Sequence, residues 1–139
     1  MQYKLHLSYK NLIVLHDHAE ASLPMEAAAL IFGQMTHQSI LTNHIRLVDN
    51  DSLSGTTSFM VDPEEQYQLL IEAENLGEEL VCIFHSHPAP PFPSRRDQEN
   101  MKLNPVAWLI ASKESGTWVS KAFIMENDKV QEIDLLLSL

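Results

Sequence analysis

Two histidines separated by one residue, His85 and His87, close a short apolar run, Leu80 to Phe84. Bounded by polar residues, that run reads as a buried strand. Side chains alternate across a strand, so residues i and i+2 share a face and both imidazoles point the same way. Two ring nitrogens can then meet one metal ion. Asp97 follows on a helix predicted to open at Ser94. The loop between, with Pro88, Pro90, Pro91 and Pro93, is stiff and can fold back to bring the carboxylate to the same point. Two His and one carboxylate form a common catalytic zinc set that leaves one position for water.

Water activated in this way still needs a base, and a fourth protein ligand would close the site. Glu26 is the best candidate, an acid at the edge of the otherwise apolar segment PMEAAALIFG, residues 24–33. Glu64, Glu65 and Glu72 fall on a predicted helix and read as its polar face. Each fragment of this constellation has a plainer reading. A His-x-His pair can be two exposed strand residues. Ser94 with Asp97 three residues on is a helix cap with an acid in the first turn. Glu26 alone could be a solvated acid at an element's edge. The metal reading rests on all of them occurring together.

The remaining elements must position these groups. Tyr3 to Leu7 alternates as a short strand, and Ser8 caps a helix running to about Ala21, with Leu12, Leu15 and Ala19 near one face. Pro24 interrupts. Ala27 to Phe32 is apolar without a period and fits a helix or a buried strand, ending at Gly33. Gln38 to Val48 reads as a partner strand, with a polar turn at Asp49 to Ser54. Asp62-Pro63-Glu64-Glu65 is a helix start with a cap, a first-position proline and acids in the first turn. That helix is expected to reach about Leu76 and end at Gly77. The Ser94 helix runs to about Leu103. Val106 to Ala111 and Trp118 to Met125 read as strands joined near Ser115-Gly116, and Val130 to Leu135 as a last strand. Strands and helices mix without strict alternation, which predicts a three-layer α/β or α+β domain.

Composition narrows the function classes. With 139 residues, 45% of them apolar, the chain suits a single domain spanning 1–139 with a real core. A net charge of −10 repels polyanions, which argues against nucleic acid and against an acidic membrane surface. The lone cysteine, Cys82, excludes an internal disulfide and reads as a small core residue. The N-terminus lacks the apolar run of a signal peptide, and no stretch is long enough to span a membrane, so a cytoplasmic location is expected. His16 and His18 stand two apart on a predicted helix, do not share a face and read as surface residues. His6, His37 and His44 are isolated. Trp108 and Trp118 read as core or strand-face residues. Arg95, Arg96 and Lys102 form either a solvated helix face or a positive patch beside the proposed metal.

The order of these residues resembles the JAMM (MPN+) zinc metallopeptidase motif: an upstream Glu, then His-x-His-Pro, a loop and Ser-x-x-Asp. The segment Pro24 to Gly33 resembles the family's stretch around its catalytic Glu, and Phe59-Met60-Val61-Asp62-Pro63 the stretch entering its central helix. The resemblance covers roughly residues 3 to 125. It implies one zinc per chain on His85, His87 and Asp97. Glu26 would be general base and then acid, and Ser94 would donate a hydrogen bond to the oxyanion of the tetrahedral intermediate. It also implies a fold similar to cytidine deaminases, a mixed sheet flanked by helices. Relatives of this type cleave after the C-terminal Gly-Gly of ubiquitin-like or sulfur-carrier proteins. The loop from Pro88 to Pro93 is one residue shorter than the family pattern, a departure that bears on the substrate groove more than on the metal. Two other classes remain as alternatives. One is a metal-free binding scaffold of the same fold, against which all five motif positions argue. The other is a zinc nucleobase deaminase, whose usual cysteine ligands a single cysteine cannot supply. The oligomeric state and the physiological substrate are not written in the sequence.

Overall fold

The structure, a computed structural model, describes residues 2–48, 62–88 and 90–139. The elements run β1 Lys4–Ser8, α1 Tyr9–Ser22, β2 Ala28–Thr36, β3 Ser39–Val48, α2 Pro63–Asn75, β4 Glu79–His87, α3 Arg95–Leu103, β5 Ala107–Ser112, β6 Val119–Glu126 and β7 Lys129–Ser138. The expected turn at 49–54 and the Phe59 to Val61 stretch lie outside the described residues. The mixed α/β class is as expected. The layered sheet is not what the pairing describes, because the strands close into a barrel in the order β1-β3-β2-β4-β5-β6-β7. Closure comes from β1, which lies parallel to both β3 and β7.

Helix ends follow the local chemistry. The Ser8 hydroxyl accepts from the Asn11 N–H at 3.1 Å and starts α1. Asp62 caps α2, with Pro63 at the first helical position where a missing N–H costs nothing. Gly77, at φ 74°, takes the left-handed conformation that ends the same helix.

The ambiguous segment after Glu26 becomes β2, a central strand between β3 and β4. Its lack of period has a cause: both faces are covered. Ala29 and Ile31 join one core with Leu15 and Ala19 of α1, while Ala28, Leu30 and Phe32 join a second core with Ala73 of α2 and Met101 of α3. A strand buried on both sides reads as an unbroken apolar run. At Gly33 the register shifts, and a side chain there would begin 1.8 Å from the Leu41 carbonyl oxygen, so only glycine fits.

The helical histidines need correction. His16 and His18 are partly buried and bonded. His16 Nε2 lies 2.7 Å from Ser120 Oγ on β6, and His18 Nε2 lies 3.0 Å from the Ala28 carbonyl oxygen on β2. The next turn of α1 adds Glu20, which accepts from Lys113 at 2.6 Å and from the Trp118 indole at 3.0 Å. Helix α1 is thereby tied to β2, to β6 and to the segment between β5 and β6. His44 also has a partner, the Glu78 carboxylate at 2.7 Å.

Candidate active site

Strand β4 carries Ile83 into the core beneath α2 and α3, and alternation places His85 and then His87 further along the same face. His85 is fully buried and meets Trp108 edge to face, with ring centroids 5.8 Å apart. Beyond His87 the proline loop turns the chain back to Ser94, the cap of α3. The capping box is complete: the Asp97 N–H donates to Ser94 Oγ at 3.1 Å and the Ser94 N–H to Asp97 Oδ2 at 2.8 Å. This local motif holds the Asp97 carboxylate toward β4. Its Oδ1 lies 3.4 Å from His85 Nε2 and its Oδ2 3.6 Å from His87 Nε2. The two imidazoles stand at 82° with centroids 5.7 Å apart.

The far side of each ring decides its tautomer. His85 Nδ1 lies 3.1 Å from the Ser86 carbonyl oxygen, and His87 Nδ1 lies 3.1 Å from that of Pro90. A carbonyl oxygen only accepts, so each Nδ1 carries the hydrogen and donates it. Both Nε2 atoms therefore face an ionised carboxylate that also only accepts. Positive charge belongs between them, either a proton or a metal ion. Burial is the largest influence on His85 and by itself lowers its pKa. Hydrogen bonds to Asp97 and Glu26, with their charges, outweigh it and raise His85 to about 9. Burial also opposes ionisation of Asp97, but His85 and the Ser94 cap hold it down at about 2.

The donor set suits zinc: two imidazole nitrogens and one carboxylate, each imidazole held from behind by a carbonyl. As placed, no three or more His, Cys, Asp or Glu side chains among the described residues form a cage that could hold a metal ion. The carboxylate is turned to its own helix cap and to the rings. Pairwise the spacing still fits, since two ligands about 2.0–2.1 Å from one tetrahedral ion lie about 3.4 Å apart. Small rotations of the Asp97 side chain open or close such a cage.

The charge pattern gives a pH prediction for the metal-free protein. His85 has a raised value, so its contribution to stability is complete below its ordinary 6.5 and is lost as pH rises through about 9. Asp97 has a depressed value, so its contribution is present above its ordinary 3.8 and is lost as pH falls through about 2. Thermal melts without zinc are expected to be highest between those two ordinary values and to decline toward pH 9. The alkaline decline is expected to shrink in His85→Ala; an unchanged decline would take His85 out of the explanation.

Glu26 sits just before β2 and is only 4% exposed. Its Oε1 lies 3.7 Å from His85 Nδ1, on the opposite side of the ring from Asp97. It therefore stands beside the donor set and outside it. Buried acids and histidines in one cluster are unusual in a core built only for packing.

The model of the prokaryotic homologs of the JAB domain matches residues 10–123. The chain belongs to this family. It is 36% identical over 142 residues to a protein of Pyrococcus furiosus named desampylase, with 96% of each chain covered. A Haloferax volcanii protein of the same name is 29% identical over 90 residues, 64% of this chain and 63% of that one. The solution structure of a Desulfitobacterium hafniense protein matches with a TM-score of 0.83 at 29% identity, covering 96% of this chain and 92% of the other. One from Salinibacter ruber matches at 0.69 and 17% identity, over 96% and 90%, a likeness of fold alone.

In this JAB-family chain the five residues singled out by the motif stand at one end of β4, while Glu64, Glu65 and Glu72 stay on α2. Arg95 and Arg96 are exposed on α3, as either reading of them required. Cys82 is buried in the core, and burial pushes its thiol pKa up. Two groups at the site were not read from the sequence. Pro90 acts through its carbonyl, which any residue would supply, so no residue type could announce it. Ser86, between the two histidines in sequence, is buried, and the only signal was a small polar residue just past an apolar run.

Proposed function

We propose that this chain is a zinc-dependent peptidase, a single domain over residues 1–139. It would hydrolyse peptide or isopeptide bonds after the C-terminal Gly-Gly of a ubiquitin-like or sulfur-carrier protein. The convergence of His85, His87 and Asp97, with Glu26 buried beside them, carries this reading. The desampylase relatives support a ubiquitin-like modifier as the substrate class. A cytoplasmic place of action agrees with that substrate; no described helix is long and apolar enough to cross a membrane.

His85, His87 and Asp97 would hold one zinc ion. When bound, zinc supplies Lewis acidity, which acidifies water and polarises a carbonyl. Glu26 takes the proton of the attacking water and returns it to the leaving amine. The carbonyls of Ser86 and Pro90 hold the two imidazoles in the tautomer whose Nε2 lone pair points to the metal position. Buried walls around His85 exclude bulk water and strengthen each of these interactions.

Ser94 has two possible duties. Its oxygen accepts the Asp97 N–H, and its hydroxyl hydrogen remains to donate to an oxyanion. Ser94→Ala is expected to keep zinc and lose about 10²-fold or more in turnover. A variant that turns over normally and only melts lower, by the ~1 kcal/mol of a lost cap, would leave Ser94 a structural residue. The substrate class is tested by incubating the zinc-loaded protein with a panel of ubiquitin-like and sulfur-carrier fusions and weighing the products. Cuts directly after Gly-Gly are expected, and a panel left wholly intact would sink the substrate assignment.

A further inference from the structure

The strand pairing around Ser86 departs from a regular ladder. Ala28 pairs with His85 across β2 and β4, so Ala27 stands opposite Ser86. A hydrogen-bonded antiparallel pair exchanges two backbone bonds. One of them is made, from the Ser86 N–H to the Ala27 carbonyl oxygen at 3.0 Å. The other is diverted. The Ala27 N–H donates to Ser86 Oγ at 2.7 Å, and the bond is buried. The Ser86 carbonyl oxygen instead accepts from His85 Nδ1 at 3.1 Å. The hydroxyl thus stands in for its own residue's carbonyl.

We propose that Ser86 is a positioning residue of the active site, whose hydroxyl takes the backbone donor next to Glu26 and so leaves its carbonyl to hold His85. This rests on the roles given above to Glu26 and His85. One short side chain then fixes two groups. The Ala27 bond sets where the backbone of Glu26 lies, and the carbonyl bond sets the tautomer and angle of the His85 ring. Ser86 is 3% exposed and lies on the face of β4 opposite the histidines, so it acts through them without touching substrate. Without the hydroxyl, the buried Ala27 N–H either goes unsatisfied or turns to the Ser86 carbonyl and competes with His85. Threonine retains the oxygen at the same position.

The test compares Ser86→Ala and Ser86→Thr in the zinc-loaded enzyme, each also in a Glu26→Gln background. Ser86→Ala is expected to lose about 10- to 100-fold in kcat with KM nearly unchanged, the usual cost of removing a group that orients a metal ligand. Ser86→Thr is expected to restore most of it. In the Glu26→Gln background, Ser86→Ala is expected to cost clearly less than in wild type, because the part of its effect that passes through Glu26 is already gone and only the part through His85 remains. Amide exchange, read by NMR without substrate, is expected to speed up at Ala27 by about tenfold or more while β6 and β7 keep their protection. Equal losses in both backgrounds, failure of threonine to restore activity, or unchanged exchange at Ala27 would each overturn the proposal. If Ser86→Ala does not fold, Ser86→Cys, with similar shape and a weak acceptor, carries the same comparison. Full activity in Glu26→Gln alone would overturn the role given to Glu26; Ala27 exchange would still decide what the Ser86 hydroxyl does.

Discussion

His87→Ala is expected to give a folded protein that has lost tight zinc binding and, with it, cleavage. His87 is the rim member of the site, partly exposed where His85 is sealed in. Its removal leaves no large cavity, so the fold should melt within a few degrees of wild type. Its Nε2 lies 3.6 Å from Asp97 Oδ2, and its Nδ1 is already held by the Pro90 carbonyl. Structural zinc sites bind with about 10–16 kcal/mol spread over their ligands, so losing one ligand lowers affinity on the order of 10²–10³-fold. Competition against a chromogenic chelator reads this directly. A His87→Ala protein that holds zinc as tightly as wild type would remove His87 from the ligand set. His85→Ala is a poorer first choice, because it also leaves Asp97 and Glu26 buried without the ring between them.

Glu26→Gln separates an enzyme from a scaffold. Glutamine keeps the size and the hydrogen-bonding ability of the side chain but cannot take a proton. Because Glu26 lies 3.7 Å from His85 Nδ1 and on the far side from Asp97, zinc affinity is expected to hold. Turnover is expected to fall by about 10²- to 10⁴-fold, the range of a lost general base. Binding of the uncleaved fusion should survive and make the variant a substrate trap. Zinc lost together with activity would make Glu26 a ligand. Activity retained would move the base elsewhere, and Glu64 and Glu65 on α2 would be next to test.

Much of the site was legible because its geometry is local. Alternation along a strand put His85 and His87 on one face, and a capping box fixed Asp97 against Ser94 within a single helical turn. Glu26 stood out as an acid in an apolar segment, and its burial before β2 follows from that context. What escaped was nonlocal or carried by backbone. Barrel closure depends on β1 lying parallel to β7 at the far end of the chain, and no short pattern encodes such a partner. The segment Ala27 to Phe32 could not be assigned because burial on both faces erases the period. The links from His16 and His18 to Ser120 and Ala28 depend on how α1 lies across the strands. Ser86 and the Pro90 carbonyl act through hydrogen bonds that become visible only when the chain is folded.

Zinc dependence is the central claim, and cleavage before and after metal exchange tests it most directly. The protein is stripped with a chelator, dialysed, and given one equivalent of zinc, while cleavage of a Gly-Gly-linked ubiquitin-like fusion is followed throughout. The expected result is no cleavage when stripped and full recovery with about one zinc per chain. Cleavage that persists at the same rate in protein shown to be free of metal would contradict it.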